Sequence, residues 1–162
     1  MSRAKIGAAV IAAALVAAIP FIVDREGESL QAYKDSVGVW TICHGETFGV
    51  NPEDKLSKKQ CDLLTQSRIG MFMFQVTSLL TVPLSPETLA AHTSFAYNIG
   101  LEGYARSSTR RLTNQGDLKN GCLAMMKWIT AGGKDCSVRA NNCYGLYKRR
   151  QDEVALCLSG VK

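Results

Sequence analysis

The 162-residue sequence predicts one α+β domain, mostly helical, with a small antiparallel sheet near its start and an apolar segment ahead of it. Three observations predict this: an uncharged run over residues 6–23, strand-period alternation in a turn-rich stretch over 35–52, and helix start signals from Ser57 onward. With residues 1–23 set aside, the body over 24–162 is still long enough to bury one core. A composition of 46% hydrophobic and 20% charged residues excludes global disorder. The net charge of +5 suits an anionic partner such as a cell wall, a nucleic acid or a lipid surface, without choosing among them.

Residues 6–23 (IGAAVIAAALVAAIPFIV) carry no charge and follow Arg3 and Lys5. As a helix they span about 27 Å, just enough for a bilayer core. Positive charge ahead of the run favours a cytoplasmic N-terminus with everything after it exported. Seven of the 18 residues are alanine and nine are strongly apolar, so insertion is worth about 3–5 kcal/mol at most. That is marginal for a lasting anchor, and alanine also favours helix in water. The favoured reading is therefore a membrane segment that later leaves the bilayer. A signal peptide cleaved after Val16-Ala17-Ala18 and a permanent anchor are the rivals. The segment holds no cysteine, so no thiol exchange can start from it.

Beyond it, Val23 to Tyr33 reads as continuing helix ending near Lys34, and Asp35-Ser36-Val37-Gly38 is a turn signal. Val37, Val39 and Thr41 alternate with Gly38, Trp40 and Ile42 at strand period, and Gly45, Gly49 and Asn51-Pro52 keep the next stretch in turns and short strands. Ser57 and Gln60 form a capping box for a helix towards Gly70 that continues through Met71–Leu80, with Met71-Phe72-Met73-Phe74 expected in the core. Ser85-Pro86-Glu87 starts another helix towards Gly100. Helices over 107–114, 117–130 and 146–158 complete the set, with Ala131-Gly132-Gly133 and Asn141-Asn142 as loops. Arg110-Arg111 and Lys148-Arg149-Arg150 read as solvated helix faces rather than nucleic-acid contacts, and His92 as a plain helix residue.

Six cysteines, at 43, 61, 122, 136, 143 and 157, suggest three disulfides and an oxidising compartment. No C-x-x-C pair exists and there are only two histidines, so a cysteine metal site is the weaker reading, and no metal or cofactor is expected. Six cysteines leave every pairing open.

The densest chemical patch is Glu26 to Thr47 (EGESLQAYKDSVGVWTICHGET). One carboxylate stands at a helix end, a second nine residues on at a hairpin entrance, and a hydroxyl, Thr41, on the returning strand. Glycoside hydrolysis needs such a set: an acid for the leaving oxygen and a carboxylate for water or for positive charge. On spacing alone the ordinary reading, a cap, a surface charge and a strand residue, is the stronger.

The order Glu26-Gly27, Tyr33-Lys34-Asp35, Gly38, Trp40-Thr41-Ile42 and Gly45 resembles the active-site stretch of the T-even phage lysozyme family, glycoside hydrolase family 24. Its spacing of Glu, eight residues, Asp, five residues, Thr is matched throughout. Phe95-Ala96-Tyr97-Asn98-Ile99-Gly100, with Tyr104, Ser107 and Asn114-Gln115-Gly116-Asp117, is similar to the family's central helix and following loop. Trp128, Ala131-Gly132-Gly133, Gly145-Leu146, Arg149-Arg150 and Glu153 form a third block in family order. The Ala/Gly-rich segment ahead, with cysteines 43, 61, 122 and 157, is similar to the signal-anchor-release branch of phage endolysins.

The resemblance implies a lysozyme-like fold with a β-sheet lobe behind a signal-anchor helix. It implies a monomeric muramidase that cuts the β-1,4 bond between N-acetylmuramic acid and N-acetylglucosamine and lyses the host. The protein would sit first at the periplasmic face of the host inner membrane and then in the periplasm, with no nucleic-acid partner. Glu26 would be the general acid, Asp35 and Thr41 would manage the attacking water with inversion as the favoured outcome and Asp35 as nucleophile the alternative, and Thr47, Tyr97 and Ser107 would contact substrate. The favoured disulfides are 43–61, 122–157 and 136–143, the first two tying helices to neighbours and the third closing a short loop. Two departures stand out: Gly45-Glu46-Thr47 where the family often has Gly-His-Thr, and Cys43 at a common glycine. A wall-binding protein without catalysis and a lytic transglycosylase are the alternative functions.

Overall fold

A computed structural model describes residues 6–35 and 37–162. The expected positive flank at Arg3 and Lys5, and Ser36 of the first turn, lie outside the described residues.

Helix α1 (Ala8–Val23) is 16 residues long and has no side-chain cap at Gly7. None of the described helices is long and apolar enough to cross a membrane. One face of α1, Ala14, Ala18 and Ile22, is fully buried, while Val16 on the other side is 76% exposed. Its C-terminal carbonyls are closed by Arg25, whose guanidinium donates to Phe21 O at 2.6 Å and lies 3.7 Å over the Phe21 ring.

The expectation of helix through Tyr33 is corrected: α1 ends at Val23 and Ser29–Lys34 is strand β1. The helical run stops four residues ahead of Gly27, and the segment beyond it gains two sets of partners by extending. β1 pairs antiparallel with β2 (Trp40–Cys43) in the register Tyr33↔Thr41 and Lys34↔Trp40. Its other edge bonds the loop ahead of α2 (Lys58–Ser78), through Ala32 N to Asp54 O and Leu56 N to Leu30 O. The turn closes with Gly38 at φ +83°, a region glycine enters freely.

Cys43 ends β2 at φ +57°, a conformation that strains a residue with a Cβ. That explains why glycine is common there in the resembled family; here the Cys43–Cys61 bridge to α2 accompanies the strain. The other bridges are Cys122–Cys157 and Cys136–Cys143.

α2 (Lys58–Ser78) opens on the Ser57–Gln60 capping box and runs without a break to Ser78. Its Met71–Phe74 run was expected in the core, but only Met73 is fully buried; Phe74 is 73% and Met71 52% exposed. Four consecutive residues of a helix cannot all face one side.

α3 (Pro86–Ile99) is the axis of the body, with Thr88 to Ala96 buried without interruption. α1, α2 and α7 (Tyr144–Ser159) surround it, so α1 belongs to the same hydrophobic core as the rest of the body. A smaller core of Ile42, Cys43 and Cys61 sits under the hairpin. The helix expected over 117–130 is shorter: α6 (Leu118–Leu123) passes into a 3₁₀ turn over 124–127, and a two-residue hairpin turns at Gly132-Gly133. Short helices α4 (Leu101–Arg106) and α5 (Ser108–Asn114) lie between α3 and α6.

Candidate active site

Glu26 follows the last turn of α1, its N–H bonded to Val23 O. Its Oε1 accepts from Arg149 Nη1 at 2.8 Å. Arg149 is fixed from behind, with Nε donating to Glu153 Oε1 at 3.2 Å. Glu153, fully buried, also accepts from Ser94 Oγ at 2.7 Å and from Arg150 Nη1 at 2.5 Å. Arg150, 1% exposed, further donates to Trp128 O and to Asn98 Oδ1 and lies over the Phe95 ring.

The Lys148-Arg149-Arg150 run is therefore corrected from a solvated face to a mostly buried one, because Glu153 lies four and three residues beyond the two arginines. Only Lys148 stays outside, against Asp152. Helical (i, i+3) and (i, i+4) spacing was the available signal.

Tyr97 on α3 stands near Glu26, and its Oη donates to His44 O at 3.4 Å, tying the body to the hairpin lobe. Burial, reinforced by the charge of Glu26, pushes its phenol up to about 12, so it is a neutral donor at physiological pH.

On the hairpin, Asp35 Oδ1 accepts from Val37 N at 3.0 Å and Val39 N at 2.8 Å. Thr41 Oγ1 donates to Val39 O at 3.0 Å. The backbone of Val39 thus joins the carboxylate to the hydroxyl. Thr41 itself is 3% exposed. Thr47 is exposed in the following loop, where its N–H and that of Phe48 both bond Glu46 Oε1 at 2.9 Å. Glu46, standing at the resembled family's histidine, faces Arg68 of α2 at 3.8 Å, so an ion pair is available to the acid. Ser107 shares no side-chain hydrogen bond with these groups. It is buried and caps α5, accepting from Arg110 N and donating to Tyr104 O.

A groove of about 630 Å³ flanks this region, walled by Asp24, Arg25, Asn98, Gly145, Lys148 and Arg149. It touches Arg149 but neither Asp35 nor Thr41, so it is a side of the cleft rather than its centre. Among the described residues, one group could hold a metal: Glu28, His44 and Asp62.

A helical body, a hairpin lobe with one carboxylate and a second carboxylate at their junction define a lysozyme-like class of protein. Comparison with known proteins narrows it. Residues 23–153 match the family model described as phage lysozyme, and the chain belongs to that family. It is 40% identical over 146 residues to a SAR-endolysin of Escherichia phage 933W, covering 87% of this chain and 82% of the relative. A SAR-endolysin of Escherichia phage N15 is 37% identical over 169 residues, covering 96% and 95%. Among solved structures, the muramidase domain of SpmX from Asticaccaulis excentricus superposes with a TM-score of 0.77 at 27% identity, covering 96% of this chain and 99% of that one.

Proposed function

We propose that this chain is an endolysin that hydrolyses the β-1,4 bond between N-acetylmuramic acid and N-acetylglucosamine in peptidoglycan. The observation that carries the reading is the pairing of a junction carboxylate, Glu26 on Arg149, with a hairpin carboxylate linked through Val39 to Thr41. Glu26 protonates the leaving glycosidic oxygen. Arg149 occupies one of its oxygens, which leaves Oε2 to carry the proton. Asp35 draws a proton from water and Thr41 orients that water, giving inversion; a carboxylate separation of about 6.5–9.5 Å suits this outcome. Thr47 and Tyr97 contact the sugars directly, and Ser107 contributes through the turn it caps. The reaction needs no cofactor, and the enzyme works as a monomer without nucleic acid.

Residues 1–23 act as a signal-anchor-release segment and 24–162 as the muramidase body. The protein sits first at the periplasmic face of the host inner membrane and then in the periplasm. While the segment is inserted, Glu26 lies three residues beyond Val23, at headgroup depth, where the cleft cannot assemble. Release lets the segment take the place of α1 in the core. Both SAR-endolysin relatives support this reading by name.

Purified Glu26→Gln should release no peptidoglycan fragments while still unfolding in one cooperative transition, at a somewhat lower temperature for loss of the Arg149 ion pair; unchanged lysis would refute the catalytic reading and favour a wall-binding protein. Anhydro-sugar products from the unmodified chain, detected by mass spectrometry, would point to a transglycosylase instead. Full activity from a form held permanently in membranes would overturn the tethering idea.

A further inference from the structure

Three residues that the proposed chemistry does not use converge at the base of the hairpin. Glu28 precedes β1, His44 follows β2, and Asp62 lies in the first turns of α2. One nitrogen or carboxylate oxygen from each lies within 4.8 Å of the other two, and His44 Nε2 is 3.6 Å from Glu28 Oε1. The Cys43–Cys61 bridge, with its Cα atoms 5.2 Å apart, fixes two of the three, because His44 and Asp62 are the residues next after its halves.

His44 is 4% exposed, and neither of its ring nitrogens has a hydrogen-bond partner among the described residues. A buried polar atom left without a partner is destabilising, so the ring has a reason to take up a ligand. A cation already mediates between the acids: Lys58 Nζ lies 3.1 Å from Glu28 Oε1 and 3.1 Å from Asp62 Oδ1. That ammonium sits on a flexible, mostly exposed stem and can swing away.

We propose that Glu28, His44 and Asp62 form a structural binding site for a divalent transition metal, best matched to zinc, whose place the Lys58 ammonium takes when no metal is bound. One imidazole and two carboxylates make a mixed N/O donor set that suits zinc, whereas magnesium and calcium prefer oxygen alone. Two negative charges balance a divalent ion; one ammonium leaves half of that charge unmet. Bond lengths near 2.1 Å place tetrahedral ligands about 3.4 Å apart, so atoms now within 4.8 Å of one another must close in by up to about 1.4 Å. Glu28 and Asp62 are both partly exposed and can do so by changing rotamer. Water completes the fourth position. The ion clamps the connector between α1 and β1 to α2, two residues from Glu26. It leaves the chemistry of Glu26 untouched, so this proposal does not depend on the reading of the active site.

The test is a zinc titration of the full-length, oxidised protein against a chromophoric chelator at neutral pH, with thermal unfolding run alongside. We expect one saturable equivalent, a melting temperature raised by zinc and restored by EDTA, and affinity at least tenfold weaker in Glu28→Gln and in Asp62→Asn. His44→Asn should abolish binding; should it unfold the hairpin lobe, the two partly exposed carboxylate variants still decide. Lys58→Met removes the competing cation and should tighten binding several-fold. Absence of saturable binding would overturn the proposal. Binding that survives both carboxylate variants, or that weakens in Lys58→Met, would do the same.

Discussion

Glu153 is the residue whose neutralisation should disturb this protein most for the smallest change in shape. Glu153→Gln keeps the volume and one acceptor oxygen, so Ser94 retains its bond. The Arg149 contact on that oxygen loses its charge, while the amide NH2 that replaces the other oxygen cannot accept from Arg150 Nη1, so that bond is lost outright. A charged hydrogen bond contributes about 1.5–3 kcal/mol and a neutral one about 0.5–1.5, so one weakened and one lost come to about 2.5–4.5 kcal/mol. Arg150, 1% exposed, is also left without an acidic partner, and breaking a buried pair from one side costs about 3–5 kcal/mol. The two routes meet near 3 kcal/mol, which for a chain of this length lowers the melting temperature by about 6–12 °C. Circular dichroism melts at neutral pH would measure it.

The double variant Arg150→Met with Glu153→Leu separates the mechanism from mere disruption. If the penalty is an unpaired buried charge, removing both charges should recover most of the loss. A drop below 1 kcal/mol in Glu153→Gln, or a double variant as unstable as the sum of its halves, would refute the reasoning. Because Glu153 also fixes Arg149, the single variant should lower the rate of peptidoglycan cleavage by more than its fraction unfolded explains.

Three further outcomes are expected. His92 is fully buried with Nδ1 2.8 Å from Tyr104 Oη, and burial holds its pKa down to about 4. The unfolded chain takes up a proton near pH 6.5 and the folded one does not, so stability is complete above pH 6.5 and falls by about 3 kcal/mol on approach to pH 4; urea titrations of His92→Gln should show a flatter decline over that window. Removing Cys122–Cys157 by paired serine substitution frees a 35-residue loop and should cost about 4 kcal/mol on the chain-entropy account, read as a lower denaturation midpoint in non-reducing urea melts. In Gly121→Ala the new Cβ would meet Thr113 Oγ1 at 2.4 Å and Thr113 N at 3.2 Å. Overpacking of about 1–3 kcal/mol then outweighs a helix-propensity gain of about 1 kcal/mol, so the melting temperature should fall, and fall less when Thr113 is also alanine.

What was legible in the sequence follows from the range over which each signal acts. The starts of α2 and α3 were readable because Ser57–Gln60 and Ser85-Pro86 satisfy helix ends with atoms three residues away. The hairpin turn was readable for the same reason, since the Asp35 carboxylate bonds N–H groups two and four residues on. β1 was not, because its extension depends on partners as distant as Asp54 and Leu56. The neighbours of Glu26 were hidden likewise: Arg149 comes to it from 123 residues away. Glu46 shows the intermediate case, where a departure from the family pattern was visible but its partner Arg68 needed the fold.

The N-terminal segment draws these strands together. Its value in a bilayer, about 3–5 kcal/mol, is small because alanine adds little there. In the body, the alanines let α1 approach α3 closely, with Ala14 and Ala18 fully buried. Ile22 adds about 2–3 kcal/mol of apolar burial. On the proposed signal-anchor-release reading, membrane and core compete within a few kcal/mol for the same residues, and a more apolar sequence would tip the balance towards a fixed anchor. Only in the body do Arg25 on Asp152 and Glu26 on Arg149 form one row of ion pairs between the end of α1 and α7. These contacts bias the competition towards the folded side, and Glu26 is one of the groups that makes them. A change that strengthens the segment's hold on the bilayer, such as Ala14→Leu with Ala18→Leu, also fills the space against α3. Such a variant should retain more protein in the membrane fraction and show less lytic activity even after detergent extraction, with the second loss coming from the core and not from the anchor.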